Sequence, residues 1–347
     1  MSKKQKVFVG ISGGVDSSVS AYLLKKEGYD VHGVFVKTWS PDWLPCTWVD
    51  EKRDAMRICA ALDIPFHFLD AEEAYKEGVA DYMIAEYKAG RTPNPDVLCN
   101  RVVKFGAMWE YAKAQGAVFL ATGHYADTDG THLFKGSDPA KDQAYFLWMI
   151  TKEELGHIKF PIGRMKKQDV RAIAEKAGLF TAAKKDSQGI CFLGEVDMKE
   201  FLQHYISVSP GDVVNEKDEV VGTHDGVLFY TFGERHGFTI TEKSANREPY
   251  YVVGKDMEKN ILHVCHEKLT EKKHDKKTIA LRDINWIEQP AKRKKYQSQL
   301  RYHGELIETK VIDEKTVELA TGEVIPLGQS LVIYDGEKIV GGGIIDF

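Results

Sequence analysis

Nine consecutive residues near the start of the chain have the composition of an anion cradle: Gly10, Ile11, Ser12, Gly13, Gly14, Val15, Asp16, Ser17 and Ser18. They follow the apolar run Val7-Phe8-Val9 and lead into Ser20-Ala21-Tyr22-Leu23-Leu24-Lys25-Lys26, the order of a strand, a glycine turn and a helix. Paired glycines let the backbone approach a phosphate closely, and a helix start offers free N–H groups and the positive end of its dipole. The serine hydroxyls add donors. Asp16, inside the turn, is placed to help hold a metal-bound pyrophosphate. No Lys-Ser or Lys-Thr pair follows the glycines, which excludes the Walker arrangement, and the dinucleotide fingerprint G-x-G-x-x-G is absent too.

Two cysteines sit in segments that differ from ordinary core sequence. Cys99 closes Gly90-Arg91-Thr92-Pro93-Asn94-Pro95-Asp96-Val97-Leu98-Cys99-Asn100, where two prolines force an extended loop. With Asp96 as N-cap, Cys99 falls at the third helical position. The helix dipole then favours the thiolate, the Asp96 carboxylate disfavours it, and the sequence does not rank the two effects. Asp96 is suited to exchanging protons with the thiol or with substrate. Cys191 lies in Lys184-Lys185-Asp186-Ser187-Gln188-Gly189-Ile190-Cys191-Phe192-Leu193-Gly194-Glu195, with lysines that favour a thiolate and apolar neighbours that favour an inert thiol. Cys59 shares a helical face with Ala55 and Leu62 and reads as packing. Cys265, in His263-Val264-Cys265-His266, has metal-ligand neighbours but strand-like alternation and no second cluster, so no metal site is expected.

The elements that must position these residues fall into two textures. In the first half, short apolar runs (7–11, 31–36, 66–69 and 118–121) alternate with helical patterns (17–26, 51–62, 74–88 and 102–115), and Gly28, Gly90 and Gly116 punctuate helix ends. That alternation predicts an α/β fold with a doubly wound parallel sheet and its ligand at the carboxyl ends of the strands. The glycine loop lies at one such end and Thr122-Gly123-His124 at another. Asp127-Thr128-Asp129-Gly130 reads as a hairpin turn, and residues 166–176, closed by Gly178, as a further helix. From about Pro210 short alternating runs take over: 226–232, 250–253 and 261–264, then 278–281, 298–302, 306–311, 316–319, 330–334 and 339–345. The last six fit a small closed barrel. The expected division is a nucleotide-binding unit at 1–200, a central β-rich unit at 201–275 and a C-terminal β-barrel at 276–347.

Composition narrows the setting. A chain of 347 residues exceeds one ordinary core. No apolar run approaches a membrane span, and the N-terminal residues lead directly into the first strand, so neither a membrane anchor nor a signal peptide is expected. Five cysteines argue against a secreted disulfide scaffold and for a reducing cytoplasm. A net charge of −5 carries no global nucleic-acid signal. Lys292-Arg293-Lys294-Lys295 and the cluster Lys272, Lys273, Lys276 and Lys277 become candidate phosphate contacts only if other features imply RNA.

Other features do. The pattern S-G-G-x-D-S resembles the PP-loop ATP pyrophosphatases, whose fold is of the adenine nucleotide alpha hydrolase type. SGGVDSSV, GRTPNPDVLCN followed by VKF, ATGHYA, KDQAYFL and DSQGICFLGE, in that order, with TFGERHG and a closing GGGII, resemble the tRNA-specific 2-thiouridylases, the MnmA/TrmU family, from Val7 to Asp346. The resemblance implies an enzyme that uses ATP, with Mg2+, to adenylate the C2 oxygen of a wobble uridine in the tRNA anticodon stem-loop, and then installs sulfur. It implies that Cys191 carries a persulfide supplied by a cysteine desulfurase or a relay protein. Cys99 would be its catalytic partner, freeing the sulfur through a Cys99–Cys191 disulfide or assisting its release as sulfide, and Asp96 the acid/base residue. Gly10 through Ser17, Val36 and Gly123 would contact ATP, with Val36 standing where the family often has Met. Asn94, Pro95 and Asp96 would meet the target base. His124, Lys141, Asp142, Gln143, Arg301, Tyr302 and Gln329 would contact tRNA. Glu234 stands where a Gln is expected, and His303-Gly304 after Tyr302 is a second departure. Two alternatives remain: a PP-loop synthetase without sulfur transfer, which would need neither cysteine motif, and a non-enzymatic RNA-binding protein with a degenerate nucleotide loop, against which the intact loop with Asp16 and its flanking serines argues.

Overall fold

The computed structural model describes residues 4–44, 48–186, 197–241, 248–266, 276–292, 294–321 and 325–346. Cys46, Cys191, Lys272, Lys273 and Arg293 lie outside them.

The first unit is built on strands β1 (Lys6–Gly10), β2 (Asp30–Lys37), β3 (Phe66–Asp70) and β4 (Phe119–Ala121), with the hairpin strands β5 (Ala126–Thr128) and β6 (Leu133–Lys135) and the short β7 (Ile158–Lys159). The sheet runs β3-β2-β1-β4-β7 with every pairing parallel. β1 is buried on both faces, as central parallel strands must be. Phe8 belongs to one apolar layer with Val34, Leu120 and Trp148, whereas Val7 and Val9 belong to the other with Val19, Leu24 and Ile58. Helix α1 (Val15–Lys26) follows β1, and α2 (Trp48–Ala61) follows β2. After β3 the chain crosses to the other side of β1, so the strand order reverses between β1 and β4. That switch point opens a crevice at the carboxyl ends of these two strands.

The second sheet contains β8 (Gly211–Val214), β9 (Val220–His224), β10 (Thr239–Ile240), β11 (Tyr251–Asp256) and β12 (Ile261–Cys265), in the order β10-β9-β8-β12-β11 around its own core. The third comprises β13 (Lys276–Trp286), β14 (Lys295–Gln299), β15 (Ile307–Val311), β16 (Thr316–Ala320), β17 (Ser330–Asp335) and β18 (Lys338–Asp346). It closes through β13–β18 pairing into an antiparallel six-stranded barrel. The hairpin β5–β6 of the first unit adds onto β18, with Leu133 opposite Ile339.

Three local expectations need correction. The run 226–232 is not a strand: Val227–Phe229 is a short 3-10 helix entered by Gly226 at φ +146°. The strand expected at 298–302 is β14, ending at Gln299, so Arg301 and Tyr302 stand in the turn beyond it. The N-cap before Cys99 is Asn94, whose side chain accepts the Val97 N–H, with Pro95 at the first helical position and Asp96 in the first turn. A proline lacks the N–H that would be left unpaired at that position, so the helix starts at Pro95, two residues earlier than an Asp96 cap requires.

Candidate active site

The glycine loop occupies the switch point. Gly13 holds φ +79°, a left-handed conformation suited to glycine, and Gly14 is the N-cap of α1. Having no side chain, Gly14 leaves the first-turn N–H groups of α1 open to a ligand. The Ser17 hydroxyl donates to the Gly14 carbonyl at 3.2 Å and lies 3.4 Å from the Ser12 hydroxyl, so two donors gather over the turn. Ser18 and Ser20 turn away, to Thr181 and to the Asp16 carbonyl. At the end of β4, Gly123 lies directly against the loop: a Cβ there would stand 2.8 Å from the Ser17 nitrogen. Val36, at the end of β2, is buried in the layer behind the crevice.

A network of charges flanks the loop. Asp16 receives the Tyr125 hydroxyl at 2.8 Å and the Lys167 ammonium at 2.7 Å. Lys167 also reaches Asp186 at 2.9 Å, and Asp186 is met by Lys141 at 2.7 Å and Arg171 at 2.6 Å. Partial burial would raise the Asp186 carboxyl, but Lys141 and Lys167 outweigh it and hold it at about 2. Burial, reinforced by the Asp16 carboxylate, keeps the Tyr125 phenol protonated. Lys184 bridges the Gly13 carbonyl and Asp54. Sequence reasoning assigned no role to Tyr125, Lys167, Arg171 or Asp186. The available signal was Lys167 and Arg171 four residues apart on one helix, Lys167–Lys176, which puts both cations on one face.

Cys99 is fully buried and opens a wide, π-type helical stretch, Cys99–Ala107. The turn leading to it is fastened from several sides. Arg91 makes a two-pronged pair with Glu86 at 2.6 and 2.7 Å. Gln329 of the barrel donates to the Thr92 carbonyl at 2.9 Å, and the Thr92 N–H donates to the Leu327 carbonyl. Cys59 is buried in α2 with its thiol pushed up to about 11 by burial, which fits a packing role, and Cys265 is buried in β12.

The residues expected to meet tRNA divide into two groups. His124 is buried, bonded to the Thr122 hydroxyl at 2.8 Å and facing Lys104; burial, then that cation, keeps its imidazole neutral. Asp142 accepts the Gly136 and Ala144 N–H groups, and Gln143 accepts the Tyr125 N–H. Lys141 is in the Asp186 network, and Gln329 holds the Thr92 turn. These five side chains therefore brace the site from within. Arg301 and Tyr302 are exposed in their turn, with Tyr302 against Phe146 at 4.5 Å. Lys294 pairs with Asp335 and Lys295 with Glu308. Among the described residues, no group of three His, Cys, Asp or Glu side chains could hold a metal, and no helix is long and apolar enough to cross a membrane.

A parallel sheet with a glycine cradle at its switch point, carrying two further β units, defines a nucleotide-binding enzyme of the PP-loop class. Residues 5–195 match the tRNA methyl transferase HUP domain, 199–266 the tRNA methyl transferase PRC-barrel domain and 276–345 the aminomethyltransferase beta-barrel domain. The chain is 43% identical to the tRNA-specific 2-thiouridylase MnmA 2 of Geobacillus kaustophilus, over 98% of this chain and 94% of that one. It is 42% identical, with the same coverage, to the tRNA-specific 2-thiouridylase MnmA of Bacillus cytotoxicus. The chain belongs to the MnmA family of tRNA-specific 2-thiouridylases.

Proposed function

We propose that this protein is an ATP-dependent tRNA 2-thiouridylase working in the cytoplasm, with a catalytic unit at 1–200, a central unit at 201–275 and a barrel at 276–347. Family membership at full length, together with the open glycine cradle at the β1/β4 crevice, supports this reading. ATP lies over Gly10–Ser17 with its adenine toward Val36 and Gly123. The Ser12 and Ser17 hydroxyls and the open N–H groups of α1 fit the phosphates in kind. Mg2+ would be held mainly by those phosphates, because Asp16 is the one carboxylate in the loop.

The chemistry needs a carbonyl oxygen turned into a leaving group and a soft nucleophile to replace it. The wobble uridine O2 attacks the ATP α-phosphorus and expels pyrophosphate. The terminal sulfur of a Cys191 persulfide, delivered by a cysteine desulfurase or a relay protein, then attacks C2 and AMP departs. The Cys99 thiolate attacks the Cys191 sulfur, the S–S bond breaks toward the uridine, and a Cys99–Cys191 disulfide forms. Asp96, in the first turn beside Asn94 and Pro95, handles protons at the target base. His124, Asp142, Gln143 and Gln329 support tRNA binding by holding the site's walls. Arg301, Tyr302 and the lysines at 294 and 295 offer exposed contacts to tRNA.

The test is a reconstitution with ATP, Mg2+, a persulfide source and tRNA carrying an unmodified wobble uridine. The expected result is 2-thiouridine by mass spectrometry with matching AMP and pyrophosphate. Pyrophosphate release without 2-thiouridine would instead favour a PP-loop synthetase of another kind.

A further inference from the structure

The turn 90–93 receives contacts from the central sheet that the reaction so far leaves without a role. Gly90 ends the helix 82–88 in a left-handed conformation at φ +76°, and the chain then runs through Thr92 and Pro93 to Asn94, Asp96 and Cys99. The Lys255 ammonium, on β11, donates to the Gly90 carbonyl at 2.7 Å. Met257, just past β11, covers Gly90 so closely that a Cβ there would lie 3.1 Å from its side chain. The Thr231 hydroxyl stands 3.4 Å from that of Thr92.

A lysine whose head group is taken out of water at a seam between units is costly unless a carboxylate and an acceptor meet it. Both are supplied. Glu234 gives the countercharge, while its own carboxylate is fixed by the Thr231 N–H at 2.8 Å. Glu234 is also the position at which TFGERHG departs from the glutamine expected there.

We propose that Lys255 is a positioning residue for thiolation, acting through the Gly90 carbonyl to hold the turn that delivers Asn94, Asp96 and Cys99. The central sheet is then part of the catalytic apparatus. A strand methionine would have served packing alone; an ammonium in the field of the Glu234 charge adds direction, because it donates to the Gly90 carbonyl at one place. Burial lowers the Lys255 ammonium to about 8, with Glu234 opposing the shift. Glu234 is the charge that acts on Lys255, and Glu234 is itself faced by His236 on the turn and by Tyr87 on the helix.

The inference rests on the thiolation reading, and the test separates the two. Wild-type protein and the variants Lys255→Met and Lys255→Arg are compared in steady-state thiolation at saturating ATP, tRNA and persulfide source, with a thiol reductant to reopen the disulfide. Lys255→Met is expected to lower kcat about tenfold through misplacement of the turn, with tRNA Kd within about twofold of wild type. Lys255→Arg, which keeps a cationic donor, restores most of the rate. A Lys255→Met enzyme with wild-type kcat, or one that loses only tRNA affinity, overturns the proposal. Wild-type protein that makes no 2-thiouridine overturns the function itself. Should Lys255→Met not fold, Glu234→Gln carries the test, since it keeps the acceptor for Thr231 and removes only the charge. The ratio of kcat at about pH 8.5 to that at about pH 7 should fall below the wild-type ratio, because the ammonium loses its proton earlier without its partner. Equal ratios overturn the proposal.

Discussion

At the scale of single residues, the site is organised by close approach and by charge. Gly123 has no room for a side chain beside the Ser17 nitrogen. Gly123→Ala is therefore expected to push the loop off its anion-binding geometry and to cut tRNA-dependent pyrophosphate release about 100-fold, with far-UV circular dichroism unchanged. Wild-type release would show that the loop gives way easily. Asp186 makes a prediction about pH. Its carboxyl is held at about 2 in the folded protein, below the ordinary value of about 4. A carboxyl depressed by folding stabilises the folded state above its unfolded value, and that contribution is lost as pH falls from about 4 toward 2. Urea midpoints of Asp186→Asn should thus lie below wild type at neutral pH and converge with it as the solution is acidified. A gap that stays constant with pH would mean that the cations do not set this carboxyl.

At the scale of elements, the parallel sheet was legible because β1, β2 and β3 are short apolar runs between periodic helices, and glycines at 28, 90, 116 and 178 do end helices with positive φ. The glycine cradle and the cysteine-bearing turn were legible as motifs. What the sequence hid were choices settled by tertiary contacts. Residues 226–232 are apolar enough for a strand, but Val227 and Leu228 fill two different cores, and a tight 3-10 turn reaches both. The Asp16–Lys167–Asp186 network joins residues about 170 positions apart, and spacing carries no trace of it. The cap before Cys99 was misread because Asp96 and Asn94 are both good cap residues, and the intervening proline decides between them. Asn94→Ala should cost about 1 kcal/mol of local stability, seen as roughly fivefold faster hydrogen exchange at the Val97 amide. Unchanged exchange there would mean that the helix start is held by its tertiary contacts and not by its cap.

At the scale of the whole molecule, the nucleotide unit and the barrel share one interior. The layer beneath the parallel sheet runs from Phe8 and Leu120 through Tyr145 and Trp148 to Val332, Tyr334 and Ile344 of the barrel. Asn285 of β13 donates to the Trp148 and Ile150 carbonyls, and the Tyr145 hydroxyl donates to Ser330. Glu86 joins the same two units at the root of the cysteine-bearing turn, buried between Arg91 at 2.6 Å and Arg282 of β13 at 2.5 Å. Burial opposes the charge on Glu86, and the two guanidinium groups overcome it, so its carboxyl lies below the usual range. Removing the carboxylate leaves two cations facing each other with nothing between them, whereas removing Arg282 leaves the Glu86–Arg91 pair intact. Glu86→Ala is accordingly expected to destabilise the protein by about 3 kcal/mol, and Arg282→Met by clearly less. Urea unfolding followed by tryptophan fluorescence measures both, and because the core is continuous the nucleotide unit and the barrel should unfold in one transition. Equal losses in the two variants would place the anchor in Arg282 itself, and separate transitions for the two units would mean that the shared layer does not couple them.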